Sequence, residues 1–178
     1  MPTYIAFLRA INVGGHTVKM DHLRRLFDAL DFFHVETFIA SGNVIFDSPS
    51  ADPAALEQKI AAHLRNSLGY EVATFLRSPA ELKAIVDHRP FPGPAVSSAH
   101  ALHIAFLDRE PVAEATKRLL SLKNEINNFH VHGREVYWLC QTHTSESGFS
   151  GAALEKTLSM PATLRNSTTV KRIASKYS

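Results

Sequence analysis

The chain has 178 residues, of which 45% are hydrophobic and 20% charged, and its formal net charge at pH 7 is +2. This composition is ordinary for a globular protein, and the length suits one large domain or two small ones. No apolar run approaches the roughly 20 residues that a membrane-spanning helix needs, which excludes such a helix. A single cysteine, Cys140, excludes an intramolecular disulfide. We therefore expect a cytoplasmic protein with no membrane partner.

The first half of the chain predicts the element order β-α-β-β-α-β. The hydrophobic pattern places strands at 4–9, 35–40, 44–47 and 70–76, and helices at 21–30 and 53–68. Ser50 or Asp52 can cap the second helix, Pro53 suits its first turn, and Gly69 can end it. An extra helix is expected from Ala80 to His88. This order is that of a ferredoxin-like half.

A proline-rich segment divides the chain. Residues 90–99, which begin Pro90-Phe91-Pro92-Gly93-Pro94, predict a linker between an N-terminal half at 1–89 and a C-terminal half at 100–178. After the linker the same order recurs. Strands are expected at 101–107, 129–132, 135–140 and 162–164, and helices at 112–122, at 151–158 and from about 167.

Two short repeats indicate an internal duplication. Residues Tyr4–Arg9 resemble His103–Asp108, and Leu76-Arg77-Ser78 resembles Leu164-Arg165-Asn166. Together with the element order, they predict an α+β fold of two ferredoxin-like βαββαβ halves, each followed by an extra helix.

The connection between the first strand and the first helix is longer in the N-terminal half. It includes Asn12-Val13-Gly14-Gly15, whereas the C-terminal half has only Asp108–Pro111 at this place. The extra length favours a binding loop, and backbone N–H groups beside paired glycines can hold an anion. Lys19 is the nearby charge partner. The alternative is an irregular loop with a tight glycine turn, since neither Gly-x-Gly-x-x-Gly nor a Walker loop is present.

Histidines on one strand raise the question of a metal. His130 and His132 share a strand face, and Cys140 and His143 follow. A zinc site needs three or four ligands with further support, and no metal-binding motif is present. We therefore predict no metal and no cofactor. The sequence assigns no catalytic residue, so whether the protein is an enzyme stays open.

The C-terminal end is basic. Residues 165–178 contain no acidic residue and carry four basic ones: Arg165, Lys171, Arg172 and Lys176. These cations could contact a phosphate backbone, and phenylalanines at 7, 38 and 46 could stack on bases. However, the aromatic-glycine pattern of RNA-binding sheets is missing, and the extra helices would cover the sheet. Core packing is the expected role of the phenylalanines, and RNA or DNA binding is kept as an alternative.

Three motifs resemble those of one uncharacterised, mainly bacterial family, domain-of-unknown-function family 1697. Residues 8–15 resemble its Leu-Arg-Gly-Ile-Asn-Val-Gly-Gly opening, residues 41–46 its Ser-Gly-Asn-Val-x-Phe turn, and residues 162–166 its C-terminal end. The chain departs from the family pattern at Ala10, where glycine is usual, and at Ser167, where tryptophan is typical. The resemblance implies a two-part α/β fold and no established activity.

The loop and the resemblance indicate the same polar residues. We expect them to form a cleft between the two halves that binds a small anionic, phosphate-bearing ligand, because arginine matches phosphate and the amides and hydroxyl can donate hydrogen bonds. The predicted ligand-binding residues are Arg9, Asn12, Gly14, Gly15, Lys19, Ser41, Asn43, Arg165 and Asn166. In the alternative, these residues only cap turns, and the protein has a structural or protein-interaction role. The oligomeric state is not predicted.

Overall fold

A computed structural model describes residues 1–9, 17–38 and 42–177 of the chain. The chain divides into a first unit, Met1–Leu82, and a second unit, Lys83–Tyr177. Each unit is built on a four-stranded sheet in which all pairings are antiparallel.

The first unit has the predicted element order. Its elements are β1 (Thr3–Leu8), α1 (Met20–Asp28), β2 (Phe33–Thr37), β3 (Asn43–Asp47), α2 (Pro53–Leu68) and β4 (Thr74–Arg77), and the strand order is β2-β3-β1-β4. The Asp52 carboxylate caps α2 by accepting the N–H of Ala55, and Gly69 ends it with φ 83°, a conformation that glycine adopts at little cost. Strand β4 is shorter than predicted, because β1 pairs with it only from Ile5 to Leu8.

The second unit repeats this order after two helices, α3 and α4. Helix α3 begins in the first unit and ends in the second. The elements are α3 (Pro79–Asp87), α4 (Gly93–Ser98), β5 (Ala101–Leu107), α5 (Ala113–Ser121), β6 (Asn127–His132), β7 (Glu135–Cys140), α6 (Gly151–Leu158), β8 (Ala162–Asn166) and α7 (Ser167–Tyr177), and the strand order is β6-β7-β5-β8. Part of the predicted linker at 90–99 is thus helical: proline in the first turn of α4 suits a helix start.

Equivalent residues occupy the same register in the two sheets. Ile5 lies opposite Ile45 on one side and Arg77 on the other. Ile104 lies opposite Tyr137 and Arg165 in the same way. This is the alignment that the two sequence repeats predict, and the predicted α+β fold of two βαββαβ halves, each followed by an extra helix, is confirmed.

One face of each sheet packs against helices. In the first unit, Tyr4, Ala6 and Leu8 alternate along β1 and pack with residues of α1 and α2. In the second unit, Ala105 and Leu107 of β5 pack with residues of α5 and α6. The other extra helix, α7, contacts β5 and β8. Within the described ranges, no helix has both the length and the apolar composition that a membrane span requires.

The phenylalanines on the central strands are buried. Phe7 and Phe46 are both 0% exposed, and Phe46 belongs to the core between the sheet and its helices. Their rings have no exposed face on which a base could stack. Core packing, the role expected of them, is what the structure shows for these two rings.

Candidate functional site

The predicted ligand-binding residues of the first unit are only partly described. Asn12, Gly14, Gly15 and Ser41 lie outside the described residues. Arg9 is half-buried directly after β1, where its backbone N–H donates to the carbonyl of Ala73 (2.9 Å). Lys19 is exposed and precedes the first turn of α1.

Two of the three family motifs meet in the first sheet. The backbone N–H of Leu8 donates to the carbonyl of Gly42 (2.9 Å), and Phe7 lies opposite Asn43. Asn43 is fully buried, and its amide donates to the carbonyl of Phe38 (3.0 Å). This bond is the kind of contact that the turn-cap alternative expects of Asn43.

The predicted residues of the second unit also bond to local backbone. Arg165 is buried, and its Nη1 donates to Thr163 Oγ1 (2.7 Å) and to the carbonyl of Leu164 (2.9 Å). Burial lowers the pKa of Arg165 to about 10, which leaves it cationic at neutral pH. Asn166 accepts the N–H of Thr168 (2.9 Å) at the start of α7. Arg77, the equivalent of Arg165, likewise donates to the carbonyl of Leu76 (2.9 Å).

The basic C-terminal stretch is therefore divided. Arg165 is buried in hydrogen bonds, whereas Lys171, Arg172 and Lys176 are exposed on α7. Three of the four basic side chains of residues 165–178 are therefore exposed on α7, and Arg165 contributes no charge to that surface.

A cavity of about 380 Å³ lies within the second unit. Most of its wall is apolar and includes Ile85, Phe91, Val96, Leu102 and Ile104. Cavities of 300–1,000 Å³ with mostly apolar walls are typical of sites for small molecules.

The polar lining of this cavity is basic or neutral. Arg89 and Lys171 line it, and both are exposed to solvent. His88, Ser97, Tyr137 and Ser167 complete the polar part, and none of the lining residues in the described ranges is acidic. Ser167 is the first residue of α7, so the positive end of that helix dipole lies at the same wall.

Three histidines cluster beside the cavity. His88 Nε2 lies 3.1 Å from His130 Nε2, and the rings of His88 and His132 are stacked with centroids 3.9 Å apart. One ring nitrogen from each of the three histidines lies within 4.8 Å of the other two. The ring of Tyr137 also packs against His88, at 5.4 Å between centroids.

Sequence reasoning missed His88 and the cavity. The sequence shows His130 and His132 as a pair on one strand and offers Cys140 and His143 as their partners. His143 instead lies against His100, with ring centroids 4.2 Å apart, and the buried Cys140 thiol donates to the carbonyl of Thr142 (3.0 Å). The available signal was the end of the predicted helix at His88, but the sequence does not show which strand lies beside it.

A comparison with family models identifies the family of the chain. The model described as "Protein of unknown function (DUF1697)" matches residues 1–137. The chain belongs to this family. The resemblance identified from the motifs is thus confirmed, although the family match ends before Arg165 and Asn166. Among curated proteins no match was found.

A solved structure is similar over the whole chain. It is described as that of a conserved bacterial protein from Streptococcus pneumoniae, with 23% sequence identity and a TM-score of 0.77, and the similarity covers 99% of each chain. At this identity the likeness shows the fold alone. It supports two sheets with their helices as the architecture of this family member.

Proposed function

We propose that this protein binds a small anionic ligand, with a phosphate group and an apolar body, in the cavity of the second unit. The observation that carries the proposal is the composition of the cavity wall, which is largely apolar and whose charged members, Arg89 and Lys171, are both basic. This keeps the small anion that the sequence predicts and assigns it to residues that the sequence did not select.

The apolar wall sets the body of the ligand. Val86, Val96 and Leu102 are partly exposed and line the space. Covering them removes apolar surface from water, which contributes about 25 cal/mol for each Å² buried. Inorganic phosphate alone would leave this wall in contact with water, so we expect a ligand with a hydrocarbon or ring portion.

The opening sets the charge of the ligand. Arg89 offers a planar guanidinium that can donate two parallel hydrogen bonds to a phosphate, and Lys171 offers a compact positive charge. The imidazole of His88 and the hydroxyl of Ser167 are further donors at the same wall. A phosphate monoester uses several donors at once, which favours it over an uncharged ligand.

Thermal unfolding with three probes tests the proposal. Hexyl phosphate combines the two required parts, while hexanol and inorganic phosphate each supply only one. A ligand present at 100 times its Kd raises the melting temperature of a protein of this size by roughly 5–10 °C. We expect hexyl phosphate to give the largest shift; equal shifts with hexyl phosphate and hexanol would contradict the anionic part.

A matched pair of lysine variants locates the site. Lys171 and Lys176 lie on the same helix and are both exposed, but Lys171 lines the cavity and Lys176 instead lies over the Tyr177 ring, 5.3 Å from its centroid. Lys171→Met should weaken hexyl phosphate binding about tenfold or more, as expected for one charge-assisted hydrogen bond, and Lys176→Met should not. Equal losses in both variants would contradict a site in the cavity.

The same variants separate the nucleic-acid alternative. That alternative predicts binding of a single-stranded RNA probe that weakens steeply with salt and depends on Lys171 and Lys176 alike. The nine-residue set of the sequence analysis, from Arg9 to Asn166, stays a prediction beside the cavity proposal.

A further inference from the structure

We propose a binding site for a divalent transition metal, with zinc as the best fit, formed by His88, His130 and His132. This site goes beyond the anion-binding function proposed above and does not depend on it. Three imidazoles are the ligand set of several zinc centres that keep an open fourth position.

The distances in the cluster suit one ion. Zinc binds histidine nitrogen at about 2.0–2.1 Å, so two tetrahedral ligand atoms stand about 3.3 Å apart. The Nε2 atoms of His88 and His130 are already 3.1 Å apart. The nitrogen that His132 offers lies within 4.8 Å of both others, so a shift of about 1.5 Å would complete the set.

The strand geometry fixes two of the ligands. His130 and His132 are separated by one residue on β6, so they project from the same face of the sheet. Their register is set by β7, where Tyr137 lies opposite His130 and Glu135 lies opposite His132.

A buried hydrogen bond places the third ligand. The hydroxyl of Tyr137 donates to the carbonyl of Ile85 (2.6 Å) and so ties the end of α3 to β7. The backbone N–H of His88 donates to the carbonyl of Ala84 (3.0 Å), which continues the last turn of α3. His88 is therefore held beside β6 by backbone bonds and by Tyr137. Its Nε2 is within hydrogen-bond distance of His130 Nε2 (3.1 Å), and a bound ion would replace that contact.

His132 is the adjustable member. Its ring is stacked on His88 with an interplanar angle of 14°, and parallel rings direct their nitrogen lone pairs side by side rather than at one point. Metal binding therefore requires the His132 ring to turn away from His88. Because His132 is exposed, this rotation meets no packed core.

The ligand type selects the metal. Imidazole suits zinc, copper, nickel and iron, whereas calcium and magnesium require oxygen ligands.

Calorimetric titration with Zn²⁺ tests the site on the full chain, without a polyhistidine tag and after treatment with a chelator. We expect one zinc ion per chain. Loss of one ligand should weaken binding at least about 100-fold, since even disturbing a supporting contact costs 10–100-fold. The variants are His88→Gln, His130→Gln and His132→Gln, each checked for folding by circular dichroism.

A second histidine pair provides the matched control. His100 and His143 are both exposed and lie with ring centroids 4.2 Å apart, yet neither belongs to the cluster of three. His100→Gln and His143→Gln should leave the zinc affinity unchanged. Equal weakening by the control variants would overturn the assignment, and so would full affinity in His132→Gln. Because His132 is exposed, a loss of affinity in this variant is not explained by a folding defect.

Co²⁺ supplies a readout of geometry. Bound by three imidazoles and a water in a four-coordinate site, it should give visible absorption bands much stronger than those of the hexa-aqua ion, and Zn²⁺ should displace it. Weak bands like those of the free ion, or bands that persist in His88→Gln, would overturn the three-histidine site.

Discussion

At the centre of the first sheet Phe46 lies opposite Tyr4, and at the equivalent place in the second sheet Trp138 lies opposite His103. The first pair packs with hydrocarbon rings: Phe46 is stacked on Phe32 with centroids 4.3 Å apart. In the second pair, Trp138 Nε1 donates to the amide oxygen of Asn127 (2.9 Å). The same strand geometry thus supports an apolar core in one unit and a hydrogen-bonded core in the other.

On the other face of each sheet, the second unit again carries a polar group at a position that is apolar in the first unit. Ile45 of β3 is paired with Glu36 of β2, whereas their equivalents Tyr137 and His130 form the corresponding pair between β7 and β6. Tyr137 contributes the hydroxyl that holds the end of α3, and His130 contributes a ring to the histidine cluster. A few substitutions at equivalent positions therefore give the second unit polar chemistry on a duplicated backbone.

Truncating the central aromatic residue should have the largest effect on stability. Trp138 is 1% exposed and Phe46 is 0% exposed. Trp138→Ala and Phe46→Ala should each lower the free energy of unfolding by about 3–5 kcal/mol, because each leaves a cavity in a packed core. Urea unfolding followed by circular dichroism measures both.

The variant Trp138→Phe sharpens this comparison by giving the second unit the residue of the first. It keeps much of the ring but leaves the amide oxygen of Asn127 without its indole donor. We expect a cost of about 1–3 kcal/mol, the range for a buried polar group that loses its partner. Unchanged stability would show that the indole hydrogen bond does not distinguish the two cores.

The duplicated fold could be predicted because its signals are local. Continuous apolar runs mark β1 and β5, and the pair of caps at Asp52 and Gly69 bounds α2. The helix within 93–98 was not predicted, because proline and glycine there also suit a linker.

The candidate site could be predicted only in part, because its residues meet through tertiary packing. His130 and His132 are neighbours on one strand and are visible as a pair in the sequence. His88 is 42 residues away from His130, and the hydrogen bond from Tyr137 of β7 to Ile85 of α3 helps to hold it close. Asn43 shows a second limit: it lies within a family motif, yet it is buried and its amide donates to the nearby carbonyl of Phe38.

Removing the Tyr137 hydroxyl should have an intermediate effect. Tyr137→Phe leaves the carbonyl of Ile85 without its buried donor and should lower the free energy of unfolding by about 1–3 kcal/mol. Tyr4→Phe is the control in the first unit, since the described residues offer no hydrogen-bond partner for the Tyr4 hydroxyl. Chemical denaturation of both variants measures the difference.

The same variant separates positioning from ligation at the histidine cluster. Tyr137→Phe keeps all three imidazoles, so zinc should still bind, but about 10–100-fold more weakly because the end of α3 is less firmly held. Equal stability of Tyr137→Phe and Tyr4→Phe, with unchanged zinc affinity, would contradict the role given to this hydroxyl.

The smallest effect is expected from His103, which replaces the tyrosine of the first unit. Burial, and then the charge of His100, lower the pKa of His103 below 6.5, and its ring contacts Trp138 and Thr144. Between that lowered pKa and 6.5 the unfolded chain binds a proton that the folded chain does not, so stability falls as the pH drops through this window. His103→Gln should reduce this fall by a fraction of the roughly 1.4 kcal/mol per pH unit that one whole proton gives. Unfolding measured from pH 7.5 to 5 checks this, with the exposed His22→Gln as control.

The lowered pKa values of His88 and His130 act in the same direction, so a slope should remain in the variant. A slope equal to that of the unmodified chain would show that His103 titrates alike in the folded and unfolded states.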